Sequence, residues 1–92
     1  MNESILQEAD RLVSADRQLD YGHPYDNFTD ICAGWQVIFR HGVTPENCAL
    51  AMVWVKVCRE LYHPKVDNRV DGAGYFKVED LIITERERRE RG

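Results

Sequence analysis

Residues able to do chemistry gather in three stretches of this chain: Arg17, Asp20, Tyr21, Gly22, His23, Pro24 and Asn27; then Lys56, Arg59 and Glu60; then Asp67, Asn68, Asp71, Gly74 and Tyr75. At helical spacing Asp67, Asp71 and Tyr75 stand four apart on one face, and Lys56, Arg59 and Glu60 share another. A short connection through His63-Pro64 can bring the two faces together. Two carboxylates at i,i+4 with a third from a neighbouring helix make a workable ligand set for Mg2+, a hard ion that keeps water for a bound phosphate. Glu60, Asp67 and Asp71 are therefore candidate metal ligands, with Lys56 and Arg59 as candidate phosphate-binding residues. The same residues also suit an ion network in which Lys56 and Arg59 pair with Asp67 and Asp71 to lock two helices together. Residue types alone favour neither reading.

Tyr21-Gly22-His23-Pro24 reads first as turn chemistry, since Gly suits the end of one helix and Pro the first turn of the next. That leaves Tyr21 and His23 unexplained. A helix N-terminus offers free amides to an anion and favours the neutral form of a nearby His, which can then donate to phosphate or base. Gly72 and Gly74 each cost a helix interior about 1 kcal/mol relative to Ala, so they predict close approach of a backbone or a ligand. Trp35 and Trp54 read as core and helix-interface residues. Cys32, Cys48 and Cys58 form no CxxC pair, which argues against a disulfide framework or a zinc site and predicts three small buried hydrophobes. No Gly-rich phosphate loop and no nucleophile elbow is present.

The elements that must position these residues are helices. Ser4 with Gln7 has the spacing of a capping box, and Ile5, Ala9, Leu12, Val13 and Leu19 continue at helical intervals, predicting a first helix over 5–19. Phe28, Ile31, Cys32, Trp35, Ile38 and Phe39 form an apolar stripe on a second helix of about 15 residues. Thr44-Pro45-Glu46 opens a third as N-cap, N1 proline and first-turn acid. From Cys48 to Leu61 that helix is apolar nearly all round, so it should be the central element. A fourth begins at Val66 or Asp67 and should bury Val70, Ala73, Gly74, Val78, Leu81 and Ile82. No apolar residue follows Ile83, so residues 1–84 are expected to form one helical domain. Residues 85–92 should be a charged tail, either a frayed helical extension or disordered. No alternating run reads as a strand. The expected fold is all-α, a compact bundle of about four helices.

Twelve basic and sixteen acidic residues give a net charge of -4, which argues against general affinity for nucleic acid. No apolar run approaches the length of a membrane span. Met1 is followed by Asn2, Glu3 and Ser4 rather than by a basic and then an apolar segment, so an intracellular, cytoplasmic protein is expected.

The three stretches resemble a family of small phage-encoded and prophage-encoded proteins of unassigned function whose members look like R..DYG.P..NF, K..RE and DN..D..GY. The matching positions here are Arg17, Asp20, Tyr21, Gly22, Pro24, Asn27, Phe28, Lys56, Arg59, Glu60, Asp67, Asn68, Asp71, Gly74 and Tyr75. The layout is also distantly similar to the MazG-like all-α nucleoside triphosphate pyrophosphohydrolases. In those, EExxE and ExxD motifs on consecutive helices hold Mg2+. This chain departs from them by placing Lys56 and Arg59 where acids stand, so only Glu60, Asp67 and Asp71 carry over.

What the resemblance implies is a cytoplasmic nucleotide-binding protein of the infected host cell, with or without Mg2+-dependent hydrolysis. Lys56 and Arg59 would hold phosphates, and Tyr21, His23, Asn27, Asn68 and Tyr75 would contact the nucleotide. The alternative is a non-enzymatic protein that binds and modulates a host protein through its acidic first helix or basic tail. Four short helices cannot hide Trp35, Phe39, Trp54 and Phe76 together, and the MazG-like enzymes work as dimers or dimers of dimers. A homodimer burying at least one tryptophan is expected.

Overall fold

The computed structural model describes residues 2–92. Four helices follow one another and, among the described residues, there is no strand, so the all-α reading holds. Helix α1 spans residues 5–21, α2 Pro24–Arg40, α3 Pro45–Tyr62 and α4 Val66–Arg91.

The ends of these helices follow from their sequence. Ser4 and Gln7 close the reciprocal capping box, with Gln7 N–H donating to Ser4 Oγ at 3.1 Å and Ser4 N–H to Gln7 Oε1 at 2.8 Å. Thr44 Oγ1 accepts from Asn47 N–H at 3.1 Å, and Pro45 occupies the first position of α3. Helix α1 runs two residues beyond its expected end and contains a π-type turn over Leu12–Asp16, where the amide of Arg17 reaches back to Leu12 O. The turn offsets the first two turns of α1 from the last one. Among the described residues, 5–16 consequently make their contacts within α1 alone, while Arg17–Tyr21 also contacts α2 and α3.

Helix α3 lies between α2 and α4, which do not touch each other among the described residues. As its sequence predicts, α3 supplies most of the buried positions: Ala49, Ala51, Val55 and Cys58, joined by Ile31 of α2. The α2–α3 contact depends on Gly34, because a Cβ there would fall 2.0 Å from Trp54 Nε1. Each tryptophan then donates across the interface, Trp54 to Asp30 O at 2.9 Å and Trp35 to Ala51 O at 2.8 Å.

Three expectations are corrected. Val70, Ala73, Gly74, Val78 and Leu81 of α4 are exposed, because α4 meets α3 alone and most of its circumference faces no other helix. Only Cys58 is buried, whereas Cys32 and Cys48 are exposed on α2 and α3. A Cβ at Gly74 would meet nothing within 4 Å, and one at Gly72 would meet only Lys56 Cβ at 3.7 Å, so no close approach accounts for Gly74. Residues 85–91 continue α4 without a break, and Arg86 forms a two-pronged ion pair with Glu46 at the start of α3.

Candidate functional site

The motif residues divide into two groups, one knitting helices together and one lining a cavity. Glu60 belongs to the first. Its Oε1 accepts from the Lys65 amide at 2.8 Å and from Asn68 Nδ2 at 3.2 Å, and its Oε2 is paired with Arg69. Asn68, buried, also donates to His63 O at 3.3 Å. The backbone bond from Lys65, joined by those from Arg69 and Asn68, holds the Glu60 carboxyl below the usual range. The His63-Pro64 turn is thus closed by a carboxylate and an amide, and Asn68 serves it rather than a surface.

One turn back along α3 and one forward along α4, Lys56 Nζ meets Asp71 Oδ2 at 3.1 Å. This is the ion pair that residue types alone allowed, with Asp71 half-exposed rather than buried. Asp67 is exposed in the first turn of α4. Among the described residues no group of three or more His, Cys, Asp or Glu side chains stands where it could hold a metal ion. Both oxygens of Glu60 are engaged by protein donors and Asp71 is engaged by Lys56. As arranged, Glu60, Asp67 and Asp71 do not fit a preassembled Mg2+ site.

The second group forms around Gly22. This residue has φ +79, which favours glycine, and a Cβ on it would stand 3.1 Å from Tyr62 Cε2, so the ring would have to give way slightly. The sharp turn places Tyr21 against α3, where the Arg59 guanidinium stacks over its ring at 4.3 Å. Arg59 Nε is buried and, among the described residues, has no hydrogen-bond partner. On the other side of the turn His23 caps α2, its Nδ1 accepting from Tyr25 N–H at 3.1 Å. A ring that accepts at Nδ1 leaves Nε2 as the nitrogen able to face a ligand.

Tyr21, His23, the buried Asn27 and Tyr62 wall a cavity of about 170 Å³ together with Asp26, Asp30 and Cys58. Burial raises the Cys58 thiol above its ordinary range, with Asp30 adding to the effect, so it is a neutral wall rather than a nucleophile. Beneath the turn, Asp20 pairs with Lys65 at 2.8 Å and lies 3.4 Å from His63 Nδ1, which ties α1 to the α3–α4 turn. Its carboxyl is held low chiefly by the Lys65 hydrogen bond.

Of the expected site residues, Tyr21, His23 and Asn27 line the cavity and Arg59 reaches it only through its stack on Tyr21; Lys56, Glu60, Asn68 and Asp71 serve the α3–α4 junction; Tyr75, half-buried on α4, does not line the cavity. The acids Asp26 and Asp30 and the ring of Tyr62 join the site without standing in any of the three motifs. The i,i+4 spacing of Asp26 and Asp30 around Asn27 is the signal that points to them.

A small all-α protein with polar motifs set around one helix turn and one inter-helix junction is the class these features define. The chain belongs to the family described as Domain of unknown function (DUF6378), whose model matches residues 4–83. It is similar to the Gene 55 protein of Mycobacterium phage D29, 37% identical over 88 residues covering 92% of this chain and 57% of that protein. It is also similar to the Gene 55 protein of Mycobacterium phage L5, 36% identical over 95 residues covering 97% of this chain and 59% of that one. The chain thus spans well under two thirds of the length of these relatives. A phage-encoded family of unassigned function, as expected, is therefore what the chain belongs to. No solved structure matches the chain. Among the described residues no helix is long and apolar enough to cross a membrane.

Proposed function

We propose that the protein binds a nucleotide or a small phosphorylated ligand at the Gly22 turn. The observation that supports this reading is the cavity walled by aromatic and amide side chains, with the Arg59 guanidinium stacked on one of those walls, Tyr21, and carrying a buried donor that has no partner among the described residues. A buried donor left without a partner costs about 1–3 kcal/mol, and an anion is the partner a guanidinium takes best. The cavity has room for a base or sugar, not for a whole nucleotide. Asn27, Asp26 and Asp30 supply acceptors for the N–H groups of a base, Tyr21 and Tyr62 supply ring faces, and the phosphates lie outside, toward Arg59.

The reading is one of binding. The carboxylates that a hydrolytic Mg2+ would need are already engaged in protein contacts, so no cleavage step is routed through them. Capture of a host protein by the basic tail is weakened by the tail's own pairing, since Arg86 binds Glu46 and Arg88 and Arg89 bind Glu85. Thermal-shift and calorimetric titration with nucleosides, nucleoside monophosphates and triphosphates, with and without Mg2+, tests the proposal. Binding that strengthens from nucleoside to phosphorylated form without requiring Mg2+ is expected. No shift and no heat with any of them overturns it.

A further inference from the structure

Among the described residues two polar side chains are buried, Asn27 and Asn68, each 8% exposed. Asn68 gives its amide to Glu60 and to His63 O. Asn27 lines the cavity at the Gly22 turn, and its side chain is hydrogen-bonded to no described residue. A buried amide without a partner is costly, and the cavity is the side from which a partner can reach it. Two carboxylates of the same wall are free as well. Asp16, Asp20, Asp71 and Asp80 each pair with a cation, whereas Asp26 and Asp30, both lining the cavity, have no ion-pair or hydrogen-bond partner for their carboxylates among the described residues. Asp30 stands three residues after Asn27, so the two side chains are neighbours on one face of α2.

These groups discriminate among bases. Ionised Asp26 and Asp30 only accept, Asn27 can donate through Nδ2, and His23, whose Nδ1 accepts from Tyr25 N–H, donates through Nε2. Of the common bases, guanine alone sets two N–H donors side by side, N1–H and the 2-amine, with the acceptor O6 next to them. A carboxylate takes such a pair with both oxygens, as it takes a guanidinium, and an amide N–H beside it meets O6. Uracil and thymine put a carbonyl on each side of their one ring N–H, so oxygen would face carboxylate. Adenine and cytosine place a ring-nitrogen lone pair beside their amine, which leaves one carboxylate oxygen opposed.

We propose that the cavity at the Gly22 turn is a guanine site, with Asp30 accepting from N1–H and the 2-amine, Asn27 donating to O6, and a guanine nucleotide as the ligand. Asp26, one turn earlier on α2, offers a further acceptor to the same amine. Tyr21 and Tyr62 supply the ring faces, which every base can use, so the choice of base falls to the carboxylates and the amide. The assignment rests on the nucleotide reading of this turn and narrows it to one base.

Calorimetric titration with the monophosphates of guanosine, inosine, adenosine, uridine and xanthosine tests this. Inosine differs from guanosine only by lacking the 2-amine. Guanosine monophosphate should bind about tenfold or more tighter than inosine monophosphate, because a hydrogen bond to a charged acceptor is lost, and tighter than the adenosine and uridine compounds. In xanthosine a carbonyl replaces the 2-amine, a group that the Asp30 carboxylate repels and an asparagine amide can meet. Asp30→Asn should therefore weaken guanosine monophosphate about tenfold or more and make xanthosine monophosphate the tighter ligand, a gain that misfolding cannot produce. Equal affinity for the guanosine and inosine compounds, or an Asp30→Asn variant that keeps the guanosine preference, overturns the guanine assignment while leaving the nucleotide reading in place. Binding of none of the five removes both.

Discussion

Trp54 lies across Gly34 so closely that a single added carbon at residue 34 would fall 2.0 Å from Trp54 Nε1. The contact brings α2 near enough for the indole to donate to Asp30 O at 2.9 Å. Gly34→Ala should therefore act as an overpacking change that also breaks a hydrogen bond, costing about 3 kcal/mol. For a chain of this size that lowers Tm by roughly 10–20 °C. Thermal denaturation followed by circular dichroism measures it, and a change under about 3 °C would show that the ring can swing aside.

How the α2 pattern is legible, and how it is not, turns on the same glycine. Hydrophobic spacing marks Phe28, Ile31, Cys32, Trp35, Ile38 and Phe39 as one stripe because it assigns nothing to Asn27 or Gly34. The structure divides that stripe in two, and the polar and the absent side chain belong to the row facing α3. Caps are legible because their chemistry is local: Ser4 with Gln7 and Thr44 with Pro45 stand as expected. Residue type marks His23 as a donor to ligand but does not show that its Nδ1 also accepts the bond that starts α2, which leaves Nε2–H as the donor. Glu60 and Asn68 resemble ligands because a helix-junction carboxylate and amide use the same residue types as a metal or nucleotide site. Which partner they take depends on the turn between α3 and α4, and spacing does not encode it.

Asp71 and Asn68 should differ in a way residue type does not suggest. The Lys56–Asp71 pair has a carboxylate that is half in water, so Asp71→Ala is expected to cost at most about 1 kcal/mol. A fully buried pair would have made that loss several times larger. Asn68 is buried and bridges Glu60 to His63 O, so Asn68→Ala takes that donor from His63 O, leaves Glu60 Oε1 with the Lys65 amide alone, and should cost about 1–3 kcal/mol. Urea denaturation of both variants ranks them, and a larger loss at Asp71 would place the burden on the wrong pair.

Acid should loosen the contact between the two ends of the α3–α4 hairpin. Arg86 beside Glu46 lowers its carboxyl to about 2 from an ordinary 4.5. A depressed folded pKa gives stability that is present above the unfolded value and lost as protons bind on the way down. The contribution should therefore hold above pH 4.5 and fade between there and about 2. Glu46→Gln removes it at every pH. The Tm difference between the two proteins, followed from neutral pH down to about 2, should be constant and then shrink; a constant difference throughout would mean that the Glu46–Arg86 pair is not formed in solution.

Arg59 yields the sharpest contrast between stability and binding. Its buried Nε has no acceptor among the described residues, a deficit of about 1–3 kcal/mol, and against it stands the stacking on Tyr21 at 4.3 Å, about 0.5–2 kcal/mol. These terms nearly offset, so Arg59→Met should leave Tm unchanged within a few degrees or raise it, which is unusual for replacing a half-buried motif residue. If the guanidinium is kept for a phosphate, the same variant should lose the stabilisation that a nucleoside triphosphate gives the native protein. Arg59→Lys keeps the charge without the planar fork and should retain only part of that stabilisation. A large drop in Tm for Arg59→Met would make Arg59 a structural residue, and a ligand-induced shift that survives in that variant would remove it from the site.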